Sequence, residues 1–312
     1  MTPQEQKVTR SEQREAARAK AREMREASQK SDRRKRGLKQ FAVVALILGL
    51  LAGVGAIVVN QINQVPVTPS DTINYPHNMT WNNGIQIGKD FKVINNPNVV
   101  NGAAPTGTPT PTPITTVPNI TVYLDYQCPV CGKFEEAQHA QLSDWVKLGA
   151  ATVEIHPVAF LDGYRDNYST NFSQNVANAA VCVADQAPNS FFNYSAYLYA
   201  NQMPEGGAGP SDSQLLQWAK DSGVGSASSA VETCIKSKKF VPWVLFEATK
   251  YIKDRTNKDY ASHWFEQIPG WTTPPGKGTP LVLINNQTVQ PATAIFDEAA
   301  FAQAVLRAAV LK

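Results

Sequence analysis

Cysteine is scarce in this chain, with four among 312 residues, too few for a small domain that substitutes disulfides for a core. Histidine is equally sparse. His77, His139, His156 and His263 are scattered, and Cys182 and Cys234 are isolated from each other, so the sequence lacks the paired ligand spacing of a zinc site. Charged residues make up 18% of the chain and hydrophobic ones 43%, a balance that excludes a mostly disordered or collagen-like polymer and allows one or two cored domains. No internal repeat is present. The net charge of +3 is unevenly placed: residues 1–40 hold 13 Lys and Arg against 6 Asp and Glu, leaving 16 against 20 for the rest. The basic character belongs to a tail outside any region that can form a core, which argues against nucleic-acid binding.

Positive charge is missing altogether between Gln40 and Gly88, and that gap begins with an apolar run. Phe41 to Val59 contains no charged side chain and as a helix spans about 28 Å, close to the roughly 30 Å of a bilayer core. Arg33, Arg34, Lys35, Arg36 and Lys39 precede it, so the run is expected to be a transmembrane anchor with the N-terminus cytoplasmic and the remaining chain outside. A cleaved signal peptide is the alternative, given the small residues Val54-Gly55-Ala56, but the 40-residue leader and long apolar run fit an anchor better. The basic tail has little to bury and reads as solvated, with contact to anionic lipid headgroups as its functional alternative.

Prolines at 66, 69 and 76 mark a polar spacer, and Asn101–Pro118 is a Pro/Thr-rich linker or loop. Gly84–Ile94 has the alternation of a short edge hairpin. Asn119–Asp125 is β-branched and aromatic and predicts a central strand. It runs into Cys128-Pro129-Val130-Cys131, after which Phe134, Ala137, Leu142 and Trp145 recur at helical spacing. Thr152–Phe160 predicts another strand, with Val153 and Ile155 alternating against Glu154 and His156 and Pro157 marking an edge or a break. A helical block follows: stripes at Phe172, Val176, Ala179 and Val183 and at Phe191, Tyr194 and Leu198, a capping box at Ser211–Gln214, and helices over Ser226–Lys238 and Val241–Arg255. Leu281–Ile284 is an apolar strand, Asn285-Asn286 a hairpin turn, and Asp297–Leu311 a final helix with Phe301, Val305 and Ala308 inward.

Two thiols two residues apart at a helix start can close a disulfide while the first sulfur stays at the helix tip. Cys128 is placed at the N-cap and Pro129 at the first helical position, where its missing N–H costs nothing. Free N–H groups near Val130 and Cys131, with the helix dipole, favour a thiolate at Cys128 and lower its pKa. Stabilising the reduced state in this way makes the disulfide the better oxidant. Zinc ligation, a purely structural disulfide and chance are the competing readings of the same four residues.

The run from Val122 to Glu135, VYLDYQCPVCGKFE, resembles the active-site segment of DsbA-like thiol:disulfide oxidoreductases, and Gly278-Thr279-Pro280-Leu281-Val282-Leu283-Ile284-Asn285 resembles that family's cis-proline strand. The resemblance covers Gly84 to the C-terminus. It implies an α/β, thioredoxin-like fold with an inserted all-helical domain, here preceded by one transmembrane helix as in membrane-tethered Gram-positive members. The expected organisation is a cytoplasmic basic tail (1–40), an anchor (41–59), an extracytoplasmic linker (60–83), a thioredoxin-like domain in two parts (84–163 and 258–312) and the helical insert (164–257). By carry-over, Cys128 is the nucleophile, Cys131 its buried partner, Pro129 and Val130 tune the pair, and Thr279-Pro280 forms a cis-peptide loop against it. An ordinary edge-strand proline is the alternative for Pro280. The backbone of Thr279 would be free to pair with an extended substrate.

The match has departures. Val130 replaces the histidine of the most oxidising members, and Val122 stands where an acid is expected six residues before Cys128. Asp125 is read as solvated at a strand end and is given no role. In an oxidising compartment Cys182 and Cys234, 52 residues apart in the insert, are expected to form a structural disulfide, with two free buried thiols as the alternative. The expected function is oxidation of unfolded secreted or cell-envelope polypeptides, with a quinone-linked membrane reoxidant of the DsbB or VKOR type and neither organic cofactor nor metal. The rivals are a reductase or isomerase of the same fold, or a tethered chaperone using a groove near Pro280, Trp264 and Trp271.

Overall fold

The computed structural model describes residues 73–95, 102–104, 116–162, 170–256 and 278–310. The basic tail, the Phe41–Val59 run, Trp264 and Trp271 lie outside the described residues, within which no helix is long and apolar enough to cross a membrane.

Five strands form one mixed sheet in the order β1-β3-β2-β4-β5, where β1 is Ile85–Ile87, β2 Asn119–Leu124, β3 Thr152–Pro157, β4 Leu281–Ile284 and β5 Gln287–Thr288. The β-branched run of β2 occupies the middle, with all six residues buried. It pairs in parallel with β3, Val122 opposite Ile155, and antiparallel with β4, Val122 opposite Val282. A parallel pair needs a long crossover. Helix α1, Pro129–Leu148, supplies it and is closed by Gly149, whose left-handed φ of 71° lets its N–H reach the Trp145 and Val146 carbonyls.

Pro157 turns out to mark a break: β3 lies between β1 and β2 and ends at that residue, opposite Leu124. The hairpin expected at Gly84–Ile94 shortens to β1, a 3-10 turn at Lys89–Phe91 and one bridge between Ile87 and Val93. Asp90 and Phe91 take positive φ, so the chain turns too tightly to extend a second strand, and Phe91 packs on Phe192 with ring centroids 5.3 Å apart. Asn285 and Asn286 both have positive φ and form the tight β4–β5 turn.

Five helices stand between β3 and β4 among the described residues: α2 (Phe172–Gln186), α3 (Phe191–Ala200), α4 (Asp212–Asp221), α5 (Ser228–Lys236) and α6 (Val241–Thr256). The last helix, α7, is Glu298–Val310. Strand alternation puts Ile120, Val122 and Leu124 on one sheet face and Asn119, Thr121 and Tyr123 on the other. Tyr123 stacks on Tyr251 of α6 at 5.2 Å and on His156 at 4.0 Å, so the insert covers the more polar face. Phe134 of α1 meets Phe301 of α7 edge to face at 6.1 Å.

That polar face is buried rather than solvated. Glu154 is 1% exposed and His156 3%. The Glu154 carboxylate accepts hydrogen bonds from Thr80 Oγ1 at 2.6 Å and Asn119 Nδ2 at 3.3 Å, and His156 Nε2 lies 3.2 Å from it. Thr152 and Gln86 donate to Asn119 Oδ1 at 2.7 and 3.1 Å. Such a network is tolerated inside because the Glu154 carboxylate and the Asn119 amide find hydrogen-bond partners. Gly84 sits over it: a Cβ there would stand 2.4 Å from His156 Nε2 and 2.6 Å from Glu154 Oε1. Gly84→Ala is therefore expected to destabilise by about 1–3 kcal/mol, read as a lower urea midpoint at unchanged slope.

Cys182 on α2 and Cys234 on α5 are joined in a disulfide, with their Cα atoms 5.7 Å apart across 52 residues of sequence. Closing a loop of that length restricts the unfolded chain and contributes about 4 kcal/mol in the chain-entropy treatment. The double variant Cys182→Ala/Cys234→Ala should lose a comparable amount in chemical denaturation. The reactivity of the remaining pair should survive, since no thiol of that pair is altered.

Candidate active site

β2 ends at Leu124 and the chain turns through Asp125, Tyr126 and Gln127 before α1 begins. Cys128 is the N-cap, with φ −72° and ψ 117°, and Pro129 takes the first helical position. The Cys128 side chain makes no capping bond of the usual kind to the helix backbone. Its sulfur is directed to the Thr279 carbonyl, with Sγ 3.5 Å from that oxygen. The Thr279-Pro280 peptide is cis, as is Gln290-Pro291, which sequence reading did not single out. Cys128, Cys131, Pro129, Val130, Thr279 and Pro280 thus meet at the C-terminal end of β2, on the N-terminal tip of α1.

Cys128 and Cys131 are free thiols with unequal surroundings. Cys128 keeps 8% of its surface exposed and Cys131 1%. A hydrogen bond from the Cys131 thiol lowers the Cys128 pKa from its ordinary value of 9.0 to about 7. Burial opposes this, while the Thr279 side chain and the N–H groups of Cys131 and Val130 add to it. Burial, followed by the neighbouring Cys128, pushes the Cys131 thiol well above the ordinary range. One sulfur is a nucleophile near neutral pH and the other holds its proton. Two thiols so differentiated can exchange with a partner disulfide, attacking it through Cys128.

Asp125 corrects the sequence reading. Its side chain is fully buried rather than solvated at a strand end. Oδ1 accepts from the Gln127 N–H and the Ser173 hydroxyl, each at 2.8 Å, and Oδ2 accepts from the Leu161 N–H at 2.8 Å. Burial outweighs these three donors, and the carboxyl is pushed up to about 8 from its ordinary 3.8, with the charge on Cys128 contributing further. The acid is therefore predominantly protonated at neutral pH, in the turn whose Asp125 carbonyl accepts the Cys128 N–H at 3.0 Å. The bond to the Gln127 N–H is an Asx turn, so an Asp two residues before a turn amide at a strand end was the available signal. Nothing in the sequence pointed to the covering residues, because Leu161 and Ser173 come from 36 and 48 residues away.

Other parts of the insert close on the same turn. Tyr126 Oη lies 3.0 Å from Ser195 Oγ, and the Tyr199 hydroxyl donates to the Asp125 carbonyl at 3.1 Å. Gln202, just beyond α3, donates to the carbonyls of Tyr126 and Cys128. A groove of about 850 Å³ runs between α1 and α3, with Pro129, Gly132, His139, Tyr197 and Gln202 among its walls. In its wall His139 pairs with Glu135 at 2.8 Å, and that hydrogen bond raises the imidazole's pKa. Among the described residues no cluster of His, Cys, Asp or Glu has the form of a metal site.

Residues 115–258 match the family model described as Thioredoxin. The fold is thioredoxin-like. Its architecture is similar to that of MdbA from Actinomyces oris, described as a thiol-disulfide oxidoreductase, at a TM-score of 0.51 and 15% identity over 79% of this chain and 98% of that one. The disulfide bond oxidoreductase DsbG of Mycobacterium tuberculosis matches at 0.47 and 22% identity, covering 74% of this chain and 94% of its own. BdbD of Bacillus subtilis matches at 0.48 and 14%, covering 77% and 99%. No curated protein matches. The matched residues span β2, α1, β3 and helices α2–α6, and the sheet is completed by β1 before them and by β4 and β5 after them.

Proposed function

We propose that this chain is a thiol:disulfide oxidoreductase acting through Cys128 and Cys131 on secreted or cell-envelope polypeptides, held at the outer face of the cell membrane by an anchor at Phe41–Val59. The observation that carries this reading is the pair itself: an acidified thiol at a helix tip, 3.5 Å from the carbonyl of a cis-peptide, above a buried thiol that keeps its proton. The apolar run, the basic residues before it and the absence of Lys or Arg from 40 to 88 support the anchor and its direction.

In the oxidised protein a substrate thiolate attacks Cys128 Sγ, the Cys128–Cys131 bond breaks, and Cys131 leaves with the electron pair and takes a proton. A second substrate thiolate attacks the substrate sulfur of the mixed disulfide and displaces Cys128 as a thiolate. The substrate has lost two electrons and gained one disulfide, and the protein holds two thiols. A quinone-linked membrane protein of the DsbB or VKOR type would remove those electrons. Neither an organic cofactor nor a metal enters the exchange. Thr279 is buried and its carbonyl faces Cys128 Sγ, so its backbone is not the free edge expected for pairing with an extended substrate.

A second reading, disulfide reduction or isomerisation, is favoured by the moderate acidity of Cys128. Val130 is apolar and supplies no cationic contact to the thiolate, and a nucleophile near 7 resembles that of reducing thioredoxin pairs more than the strongest oxidants. The reduction potential of the couple in the full-length protein, equilibrated against glutathione, separates the two. A value near −120 mV supports oxidation and one below about −250 mV overturns it in favour of reduction.

A further inference from the structure

The turn that presents Cys128 is held by a residue distant from it in the chain. Gln202 Nε2 donates to the Tyr126 carbonyl at 2.9 Å and to the Cys128 carbonyl at 3.0 Å. The Cys128 carbonyl also accepts the Gly132 N–H at 3.1 Å, the first bond of α1. The amide therefore joins two consecutive features, the end of the turn and the opening of the helix, from a residue 74 positions away. A second observation points to the same side chain. A Cβ at Gly132 would stand 2.4 Å from Gln202 Oε1. Gly132 lies inside α1, where alanine would ordinarily be the better helix former. The glycine leaves the room that the amide occupies.

We infer that Gln202 is a positioning residue for the reactive cysteine, fixing the carbonyls of Tyr126 and Cys128 and with them the placement of Cys128 Sγ at the opening of α1, with Gly132 as its required partner. This rests on the reading of Cys128 as the nucleophile and assigns the insert a part in setting its reactivity. The physical route is short. Pro129 has no N–H, so the Cys128 carbonyl is the nearest handle on the first peptide plane of the helix. Releasing that carbonyl lets the plane rotate, and Cys128 Sγ loses its placement against the N–H groups that stabilise it when ionised. The titratable groups that face Cys128 are Cys131 on α1 and Asp125 on the preceding turn, with Tyr199 of α3 behind them. None is altered by a change at 202 or 132.

The test is the rate of iodoacetamide alkylation of Cys128 against pH in the reduced full-length protein. Gln202→Met keeps the length of the side chain and removes the donor. Its midpoint should rise by about one pH unit, a tenfold smaller thiolate fraction at pH 6. Gly132→Ala should shift the midpoint in the same direction by displacing the amide. Adding Gly132→Ala to Gln202→Met should produce no further shift. An unmoved midpoint in Gln202→Met, or an independent effect of Gly132→Ala in the double variant, overturns the proposal. Should Gln202→Met fail to fold, an unmoved midpoint in Gly132→Ala alone overturns it. Alkylation reports the thiol's acidity whatever the direction of electron flow, so failure here is separate from failure of the oxidase reading, which the reduction potential decides.

Discussion

Cys131→Ser is expected to turn the protein into a trap. At pH 7 about half of Cys128 is ionised, given a pKa of about 7, so the reduced variant should attack a disulfide substrate and hold it as a covalent adduct. Release in the wild-type protein has a resolving thiol in the same four-residue segment, and an intramolecular thiol acts at a high effective concentration. Without it, turnover should fall on the order of a thousandfold, and the adduct should accumulate as a reducible species visible by intact-mass measurement. The serine hydroxyl can still donate to the Cys128 sulfur. Because the hydrogen bond from Cys131 is the largest cause of its acidity, Cys131→Ala should instead raise the Cys128 pKa and slow adduct formation near neutral pH. Cys128→Ser should abolish both reactions. Wild-type turnover by Cys131→Ser, or adduct formation by Cys128→Ser, would contradict the assignment of nucleophile and partner.

The second large effect concerns pH. Asp125 holds its proton in the folded protein to about pH 8, whereas the unfolded chain releases it near 3.8. Between those values the folded state binds more protons than the unfolded one, so raising the pH favours unfolding. The stability associated with the protonated acid is fully present below about pH 4 and is lost as pH rises to about 8, by at most roughly 6 kcal/mol over that window. Cys128 acts with the opposite sign between its folded value of about 7 and 9.0. Urea unfolding of the protein with both thiols reduced should therefore be followed from pH 4 to 7.

Asp125→Asn should flatten the slope of stability against pH in that range relative to wild type. His139, held above its ordinary value by Glu135, titrates in both proteins and cancels in the difference. The offset carries no information, because the asparagine amide would face donors from Gln127, Leu161 and Ser173. Equal slopes for the two proteins would mean that the acid is ionised throughout.

Periodicity predicted α1 correctly but misjudged part of its inner face. Phe134 and Leu142 are buried as expected and Trp145 packs half-buried on Phe301, while Gln138 and Val146 are buried and Ala137 is only half-buried. Gln138 is polar, and its place inside depends on donating to the Ile295 carbonyl at 2.9 Å, a partner 157 residues away. Hydropathy scores a side chain without its partner and so reads such a residue as exposed. Glu154 and His156 were assigned to the right sheet face, but their burial under the Thr80–Gly84 segment and α6 was invisible for the same reason.

Local chemistry by itself determined the strand, the cysteine pair with its proline and the helix that follows. Backbone propensity, the missing proline N–H and the free amides of a helix start act within a few residues of one another. It also determined the tight turn at Asn285-Asn286 and the capping box at Ser211, which is present with both of its hydrogen bonds. Only the tertiary structure decided what surrounds Cys128. The Thr279 carbonyl arrives from 151 residues away and the Gln202 amide from 74, while Asp125 is dried by Leu161 and Ser173. Acidity depends on desolvation and on the nearest donors, both fixed by packing between segments distant in the chain. The positions of the two sulfurs were therefore legible in the sequence, and the environment that acidifies Cys128 and keeps the proton on Cys131 was not.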